Sequence, residues 1–142
     1  MGLTIGSIGS TKNNNITFRD AFLPYTYKGI YLKFRECDAS NEECGTISNV
    51  LFENVRMDQP TQWPIWIGPA QQSDSRRLCA AHPCSLCWPY VPEAKCDASE
   101  GSQYSNIVLR NVTVVKPFSI LLFIISFLGF LPTFKGCNVI YS

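Results

Sequence analysis

The chain has 142 residues, of which 46% are hydrophobic and 16% are charged. A length of this order fits one compact domain, and the apolar fraction excludes a disordered, highly charged chain. The formal net charge is +1 and there is no run of basic residues, so the composition gives no indication of nucleic-acid binding.

A strand-like motif occurs three times along the chain, at residues 15–20, 49–54 and 106–111. It places an asparagine before alternating apolar residues and ends with a charged residue followed by Asn or Asp. Apolar residues at every second position are typical of a strand that is buried on one face. The Asn or Asp that closes each copy indicates a turn.

A second short strand follows each of the first two copies, at residues 29–34 and 64–68. The first strand recurs after 34 residues and the second after 35. A coil made of such strands cannot bury its own apolar face, but stacking on neighbouring coils buries it. Because no long helical stripe interrupts this pattern, we predict an all-β solenoid over residues 1–117.

The alternation within the second strand predicts a candidate binding face. If Ile30 and Leu32 point into the core, Tyr31 and Lys33 point outward together. The shift of 35 residues then places Trp66 beside Tyr31 in the next coil. Two exposed rings and a cation on one face suit an anionic oligosaccharide, because rings stack on sugar faces and an ammonium group pairs with a carboxylate. The alternative is that these rings are ordinary packing beneath the insertion that follows.

An insertion at residues 70–104 holds four of the seven cysteines and is rich in proline, which indicates a surface loop pinned by disulfides. Cys37 and Cys44 are expected to close a short loop between coils, whereas the pairing of the others cannot be deduced. The spacing of Cys84 and Cys87 also fits zinc ligands, but a second such pair is absent, so no metal is predicted. The disulfide candidates are Cys37, Cys44, Cys79, Cys84, Cys87 and Cys96.

The cysteine content also bears on the compartment. An even set of cysteines in a loop-rich chain indicates an oxidising compartment, and sequons at Asn15 and Asn111 are compatible with secretion. The residues that follow Met1 have neither the charged start nor the apolar stretch of a signal peptide. We therefore expect an extracellular or cell-wall protein whose N-terminal part is missing from this chain.

The tail at residues 118–142 differs from everything before it. It opens with an uncharged run of 14 residues, 118–131, which is shorter than the roughly 20 residues of a membrane span. Three interpretations stay open: a non-native reading frame, a hydrophobic strand or core segment, and a marginal membrane anchor. We expect that a membrane is not a partner of this chain.

Three segments carry a resemblance to a known family. Residues 2–9 resemble the segment Gly-His-Gly-Leu-Ser-Ile-Gly-Ser, and residues 29–33 resemble Gly-x-Arg-Ile-Lys, both of the polygalacturonase-like (pectinase) glycoside hydrolases. Residues 45–57 are similar to the coil that follows in this family. The resemblance covers about residues 2–117 and corresponds to the C-terminal part of the family domain. It implies a right-handed parallel β-helix, present here in part, and a secreted enzyme that hydrolyses pectin-type polysaccharides.

The departures from the family pattern concern its active site. Met1 stands where the family has its His, Tyr31 stands where it has the Arg, and only Lys33 of the Arg/Lys pair remains. The family's catalytic aspartates, which perform inverting acid/base hydrolysis, lie before this His and have no counterpart here. His82, the only histidine, sits in a Pro/Cys loop and is not expected to be catalytic.

We therefore predict a fragment of a polysaccharide hydrolase that is inactive alone, with no catalytic residue of its own, and whether the chain is an enzyme stays open. The substrate-binding candidates are Lys33, Tyr31 and Trp66, and the expected partner is a polysaccharide or oligosaccharide. No cofactor and no obligate protein partner are predicted. The alternative function is that of a non-catalytic carbohydrate-binding or structural β-helix protein.

Overall fold

A computed structural model of the protein describes residues 1–35, 37, 43–70 and 101–116 together with short strands at 123–124 and 139–141. These residues form strands and turns and contain no helix, so none of them belongs to an apolar helix long enough to cross a membrane. The strands are β1 Leu3–Ile8, β2 Lys12–Pro24, β3 Ile30–Phe34, β4 Thr46–Asp58, β5 Ile65–Pro69, β6 Gln103–Val115, β7 Phe123–Ile124 and β8 Val139–Tyr141.

The strands form two parallel sheets between which the chain alternates. Sheet A has the order β1-β3-β5-β7 and sheet B the order β2-β4-β6-β8, and every neighbouring pair is parallel. The prediction of an all-β fold is confirmed, and its strands are parallel. The closure and the right-handed winding of a β-helix stay predictions.

The register of the sheets follows the repeat that the sequence predicts. Val50 pairs with Ile16 on one side and with Ile107 on the other. Ile30 pairs with Ile65 in the other sheet. Residues at equivalent places in the repeat therefore lie side by side, and like side chains stack on like side chains across neighbouring strands.

The long strands of sheet B bend at fixed positions. In β4, Asn49 and Asn54 have φ angles of 53° and 55°, in the left-handed region. Asparagine and aspartate adopt this conformation at lower cost than other side-chain residues, which explains why the motif places them there. The sequence predicts a turn at the Asn or Asp that closes each motif; Asn54 instead lies inside β4, where the backbone is locally left-handed and the strand continues. The same conformation is found at Asn15, Asp20, Asn106 and Asn111.

Both sheets contribute to a single hydrophobic core. Ile30 and Leu32 of β3 and Val50 and Phe52 of β4 are at most 1% exposed. Phe52 stacks on Phe18 of the neighbouring strand, with ring centroids 5.1 Å apart. In β3 alternate residues enter this core, as the period of two predicts. In β4 the spacing of core residues widens to three across the left-handed positions, from Ile47 to Val50 and from Phe52 to Val55.

One predicted disulfide is present and the others lie outside the described residues. Cys37 and Cys44 are joined, with their Cα atoms 5.7 Å apart, which confirms the disulfide predicted for this pair. The candidates Cys79, Cys84, Cys87 and Cys96 are not among the described residues, nor is most of the insertion predicted at 70–104. Its last two residues, Gln103 and Tyr104, lie in β6. In the tail at 118–142, β7 and β8 continue the two sheets.

Candidate functional site

The outer face of sheet A carries the three residues that the sequence predicts for substrate binding. In β3, Ile30 and Leu32 belong to the core, whereas Tyr31 and Lys33 do not. This is the alternation expected of a strand. Tyr31 pairs with Trp66 of β5 in the sheet register, so the prediction that these two residues are neighbours is confirmed.

The predicted exposure of the two rings is wrong. Tyr31 is fully buried and Trp66 is only 3% exposed, whereas Lys33 keeps an intermediate exposure. The physical reason is that the outward side of the sheet is itself packed: the Trp66 ring lies 5.2 Å from the Trp63 ring, and cations lie against the Tyr31 ring. Of the three candidates, Lys33 is therefore the one with surface available to a ligand.

Lys28 is a member of this site that the sequence analysis missed. It is 3% exposed, and its Nζ donates a hydrogen bond of 2.8 Å to Oε1 of Gln62. The same Nζ lies 5.0 Å from the centroid of the Tyr31 ring and 5.8 Å from that of Trp63. A signal was present in the chain, because Gln62 follows Lys28 by 34 residues, the length of the repeat. We name Lys28, Tyr31, Lys33, Trp63 and Trp66 the lysine–aromatic cluster.

Two ammonium groups share one ring in this cluster. The Nζ of Lys33 lies 4.5 Å from the centroid of Tyr31, and that of Lys28 lies 5.0 Å from it. Aromatic faces attract cations, so the ring holds both lysines in place. Burial, followed by the charge of Lys33, lowers the pKa of Lys28 to about 8. Burial also lowers the pKa of Lys33 below its ordinary value.

Neighbouring strands leave space around Lys33. Gly68 of β5 is the register partner of Lys33. On the other side, a Cβ atom added to Gly6 of β1 would collide with the carbonyl oxygen of Lys33 and would lie 2.6 Å from the Cγ atom of Lys33. Gly6 also has a φ of 123°, which side-chain residues rarely adopt. Glycines on both sides let the stem of Lys33 lie against the sheet while its ammonium group reaches toward Tyr31.

Tyr104 of β6 connects the two sheets beneath this face. Its hydroxyl is a hydrogen-bond donor that lies 2.8 Å from the carbonyl oxygen of Gly68 and 3.3 Å from the carbonyl oxygen of Leu32. Its ring packs on Phe34 with centroids 4.6 Å apart. Burial raises the pKa of the Tyr104 hydroxyl well above its ordinary value, so it remains a donor. Tyr104 thereby ties the strand that carries Lys33 to its neighbour β5.

The exposed side of sheet B is arranged differently. Glu53 of β4 lies between two arginines, 2.8 Å from Nη1 of Arg110 and 3.7 Å from Nη2 of Arg19. Asn49 donates to Oδ1 of Asn14 at 2.8 Å and the corresponding bond recurs one strand further on. These polar groups are partnered by their own neighbours, so they serve the sheet rather than a ligand.

The described residues hold no group of three or more His, Cys, Asp or Glu side chains that would suit a metal ion. The site combines two lysines, aromatic rings and the amide group of Gln62. A comparison of the chain with protein-family models, with curated proteins and with solved structures finds no match.

Proposed function

We propose that this chain belongs to a right-handed parallel β-helix protein that binds an acidic, galacturonan-type polysaccharide on the outer face of sheet A. Two parallel sheets between which the chain alternates, a repeat of 34 residues and one shared core support the β-helix. Solenoids of this kind present extended faces that suit long polymers. The disulfide between Cys37 and Cys44 is in keeping with a secreted protein.

The observation that carries the proposal is the pair of lysines around Tyr31. Nζ of Lys33 lies 4.5 Å from that ring and Nζ of Lys28 lies 5.0 Å from it, so two partly desolvated cations are held close together. A carboxylate placed near Lys33 offsets the repulsion between the two cations and gains a charge-assisted hydrogen bond. In this proposal Lys33 contacts the sugar carboxylate, Tyr31 positions Lys33, and Trp66 supports Tyr31 from the neighbouring strand.

The support for hydrolysis is the resemblance of the sequence to polygalacturonase-like enzymes alone. Inverting hydrolysis needs one carboxylic acid that protonates the leaving oxygen and a second carboxylate that activates water. We assign neither role to a residue of this chain. The second candidate function, a non-catalytic carbohydrate-binding β-helix protein, is favoured by the make-up of the lysine–aromatic cluster, which consists of binding groups.

Binding of polygalacturonate by the full chain, compared with a neutral galactan, tests the proposal. We expect calorimetry to detect the acidic polymer and not the neutral one, and Lys33→Met to weaken binding about tenfold, since it removes a charged hydrogen-bond donor. Lys12→Met is the matched control, because Lys12 lies in sheet B and pairs with Glu43. Equal binding of both polymers, or equal loss in both variants, would contradict the proposal.

An assay of new reducing ends separates the two candidate functions. Release of reducing sugars from polygalacturonate by the purified chain would support a hydrolase, whereas binding without release would support the carbohydrate-binding protein. Melting curves of each variant, recorded by circular dichroism, show whether a loss of binding has its cause in the fold.

A further inference from the structure

Two segments of the chain have the Asn-x-Ser/Thr pattern of an N-glycosylation acceptor, and the proposed function uses neither of them. They are Asn15-Ile16-Thr17 in β2 and Asn111-Val112-Thr113 in β6. So short a pattern also occurs by chance, so the surroundings of each asparagine have to decide between the two. A sugar chain is bulky and hydrophilic, and its acceptor therefore has to lie at the surface with its amide nitrogen accessible.

Asn15 faces solvent at a place where β2 departs from simple alternation. Its φ is 58°, in the left-handed region. Both Asn14 and Asn15 are exposed, whereas regular alternation would turn one of them inward. Thr17, whose hydroxyl completes the acceptor pattern, is exposed as well. The two residues that a glycosyl transferase needs therefore both lie on the exposed side of sheet B.

The side chain of Asn15 stays outside the polar ladder of sheet B. Asn15 directly follows Asn14, whose register partner in β4 is Ser48. Nδ2 of Asn49, the next residue of β4, donates to Oδ1 of Asn14 at 2.8 Å, and Oγ of Ser48 lies 3.1 Å from the same oxygen. Asn14 thus supplies the acceptor for β4, and no residue that the structure describes forms a hydrogen bond with the side-chain amide of Asn15.

Asn111 differs because its amide nitrogen is used within the sheet. Its Nδ2 donates a hydrogen bond of 2.8 Å to Oδ1 of Asn54. A sugar on this nitrogen would replace one of its two hydrogens and add bulk beside the ladder contact. Thr113, which completes this second pattern, is half-buried. Glycosylation at Asn111 therefore competes with a contact between strands, whereas glycosylation at Asn15 displaces no such contact.

We propose that Asn15, and not Asn111, carries an N-linked oligosaccharide in the secreted protein. The donor is an oligosaccharide joined through a diphosphate to a membrane lipid. Nδ2 of Asn15 forms a bond to C1 of the first sugar, and the bond between that carbon and the diphosphate oxygen breaks. The lipid diphosphate leaves with the bonding electrons, while Nδ2 loses one proton to a base of the transferase and keeps one hydrogen.

This inference goes beyond the proposed function and does not depend on it. Asn15 lies in β2 of sheet B, whereas Tyr31 and Lys33 lie in β3 of sheet A. A glycan on Asn15 therefore adds a hydrophilic group to one sheet and leaves the lysine–aromatic cluster of the other sheet unchanged.

Secretion of the full chain from a eukaryotic host, behind a cleavable export signal, tests the inference. A peptide N-glycosidase releases the glycan and converts its asparagine to aspartate, a change that mass spectrometry of peptides locates. We expect this conversion at Asn15 and not at Asn111. An unmodified Asn15, or an Asn111 that is modified as fully as Asn15, would overturn the proposal.

Substitutions of Thr17 connect the glycan to this acceptor pattern. Thr17→Val removes the hydroxyl but keeps a β-branched side chain at an exposed strand position, so the fold should persist and the glycan should be lost. Thr17→Ser keeps the pattern and should keep the glycan. Thr113→Val, which removes the other pattern, is the matched control and should leave the glycan in place. A glycan that survives Thr17→Val, or one that disappears in Thr113→Val, would contradict the assignment.

Polygalacturonate binding by the same secreted protein separates this inference from the proposed function. A protein that binds the polymer but has no glycan on Asn15 overturns this inference alone. A protein that has the glycan on Asn15 and does not bind the polymer supports this inference and overturns the proposed function.

Discussion

The exposed side of sheet B and the outer face of sheet A are built from the same sequence repeat, but the side-chain pairs that the repeat places on neighbouring strands differ between them. On sheet B the repeat places like beside like: Asn54 donates to Oδ1 of Asp20 at 3.0 Å and accepts from Nδ2 of Asn111 at 2.8 Å. On the outer face of sheet A it places two aromatic residues, Tyr31 and Trp66, side by side and places Lys33 beside Gly68, which has no side chain.

This difference separates residues that stabilise the sheet from residues that are available to a ligand. Where stacked neighbours are complementary, each polar group is satisfied by the next strand, and the exposed side has little left to offer. On the outer face of sheet A, Gly68 offers Lys33 no side chain to pair with, and the Lys33 ammonium group lies against the Tyr31 ring. Three sets of substitutions and one pH titration test whether the two surfaces behave independently.

The largest effect should come from Phe52, which lies beneath both surfaces. Its side chain is fully buried and stacks on Phe18, so Phe52→Ala leaves a cavity in the core that the two sheets share. We expect a loss of about 3–5 kcal/mol in the free energy of unfolding, measured by chemical denaturation. Leu51→Ala, at the adjacent half-buried position, is the control with a smaller loss. Equal losses at the two positions would contradict the shared core.

The ladder on sheet B should be the next most sensitive feature. Asn54 has a φ of 55°, so Asn54→Ala combines lost side-chain hydrogen bonds with left-handed strain and should cost about 1–2 kcal/mol. Asn54→Gly removes the same hydrogen bonds without the strain and should cost less. Polygalacturonate binding should stay unchanged in both variants, and a loss of binding would refute the separation of the two surfaces.

The crowded cations on sheet A should produce a measurable pH dependence of stability. Burial and the charge of Lys33 lower the pKa of Lys28 from 10.5 to about 8, so below pH 8 the charged form is destabilising in the folded chain. As the pH rises above 8, folded Lys28 releases its proton while the unfolded chain keeps it, and stability should increase. We expect the melting temperature to rise by a few degrees between pH 8 and pH 10.

Lys28→Met isolates this contribution. Removing the titrating group should flatten the rise in melting temperature, whereas Lys12→Met, at an exposed position of sheet B, should leave it in place. A rise that is identical in all three proteins would show that Lys28 does not carry it. Above about pH 10, ionisation of tyrosines in the unfolded chain opposes the effect, because the pKa of Tyr104 is raised in the folded chain from 10.0.

The smallest effect should come from the ion pairs on sheet B. Glu53→Gln removes the charge that lies between Arg19 and Arg110, but both arginines are largely exposed to water. Exposed pairs contribute little, so we expect a loss of about 0.5 kcal/mol that shrinks at high salt. Denaturation at low and high salt measures it, and a loss that does not depend on salt would point to packing rather than charge.

Several features of the fold could be predicted from the chain because they depend on local pattern. The period of two places Ile30 inward and Tyr31 outward whatever surrounds the strand. The spacing of the repeat predicts that Tyr31 lies beside Trp66, since strands of neighbouring coils stack in register. Asn54, which closes the second copy of the motif, indicates a local change in the backbone, and its φ is left-handed because few other side chains tolerate that conformation.

The strand pattern, the register and the outward direction of Lys33 could be predicted because each follows from the order and spacing of residues along the chain. The burial of Tyr31 and Trp66 and the contact of Lys28 with Tyr31 depend on how distant segments pack together. Whether an outward side chain is exposed depends on what other segments place above it, such as Gln62 and Trp63 of the next coil. Strand periodicity contains no information about those contacts, so direction was predictable and exposure was not.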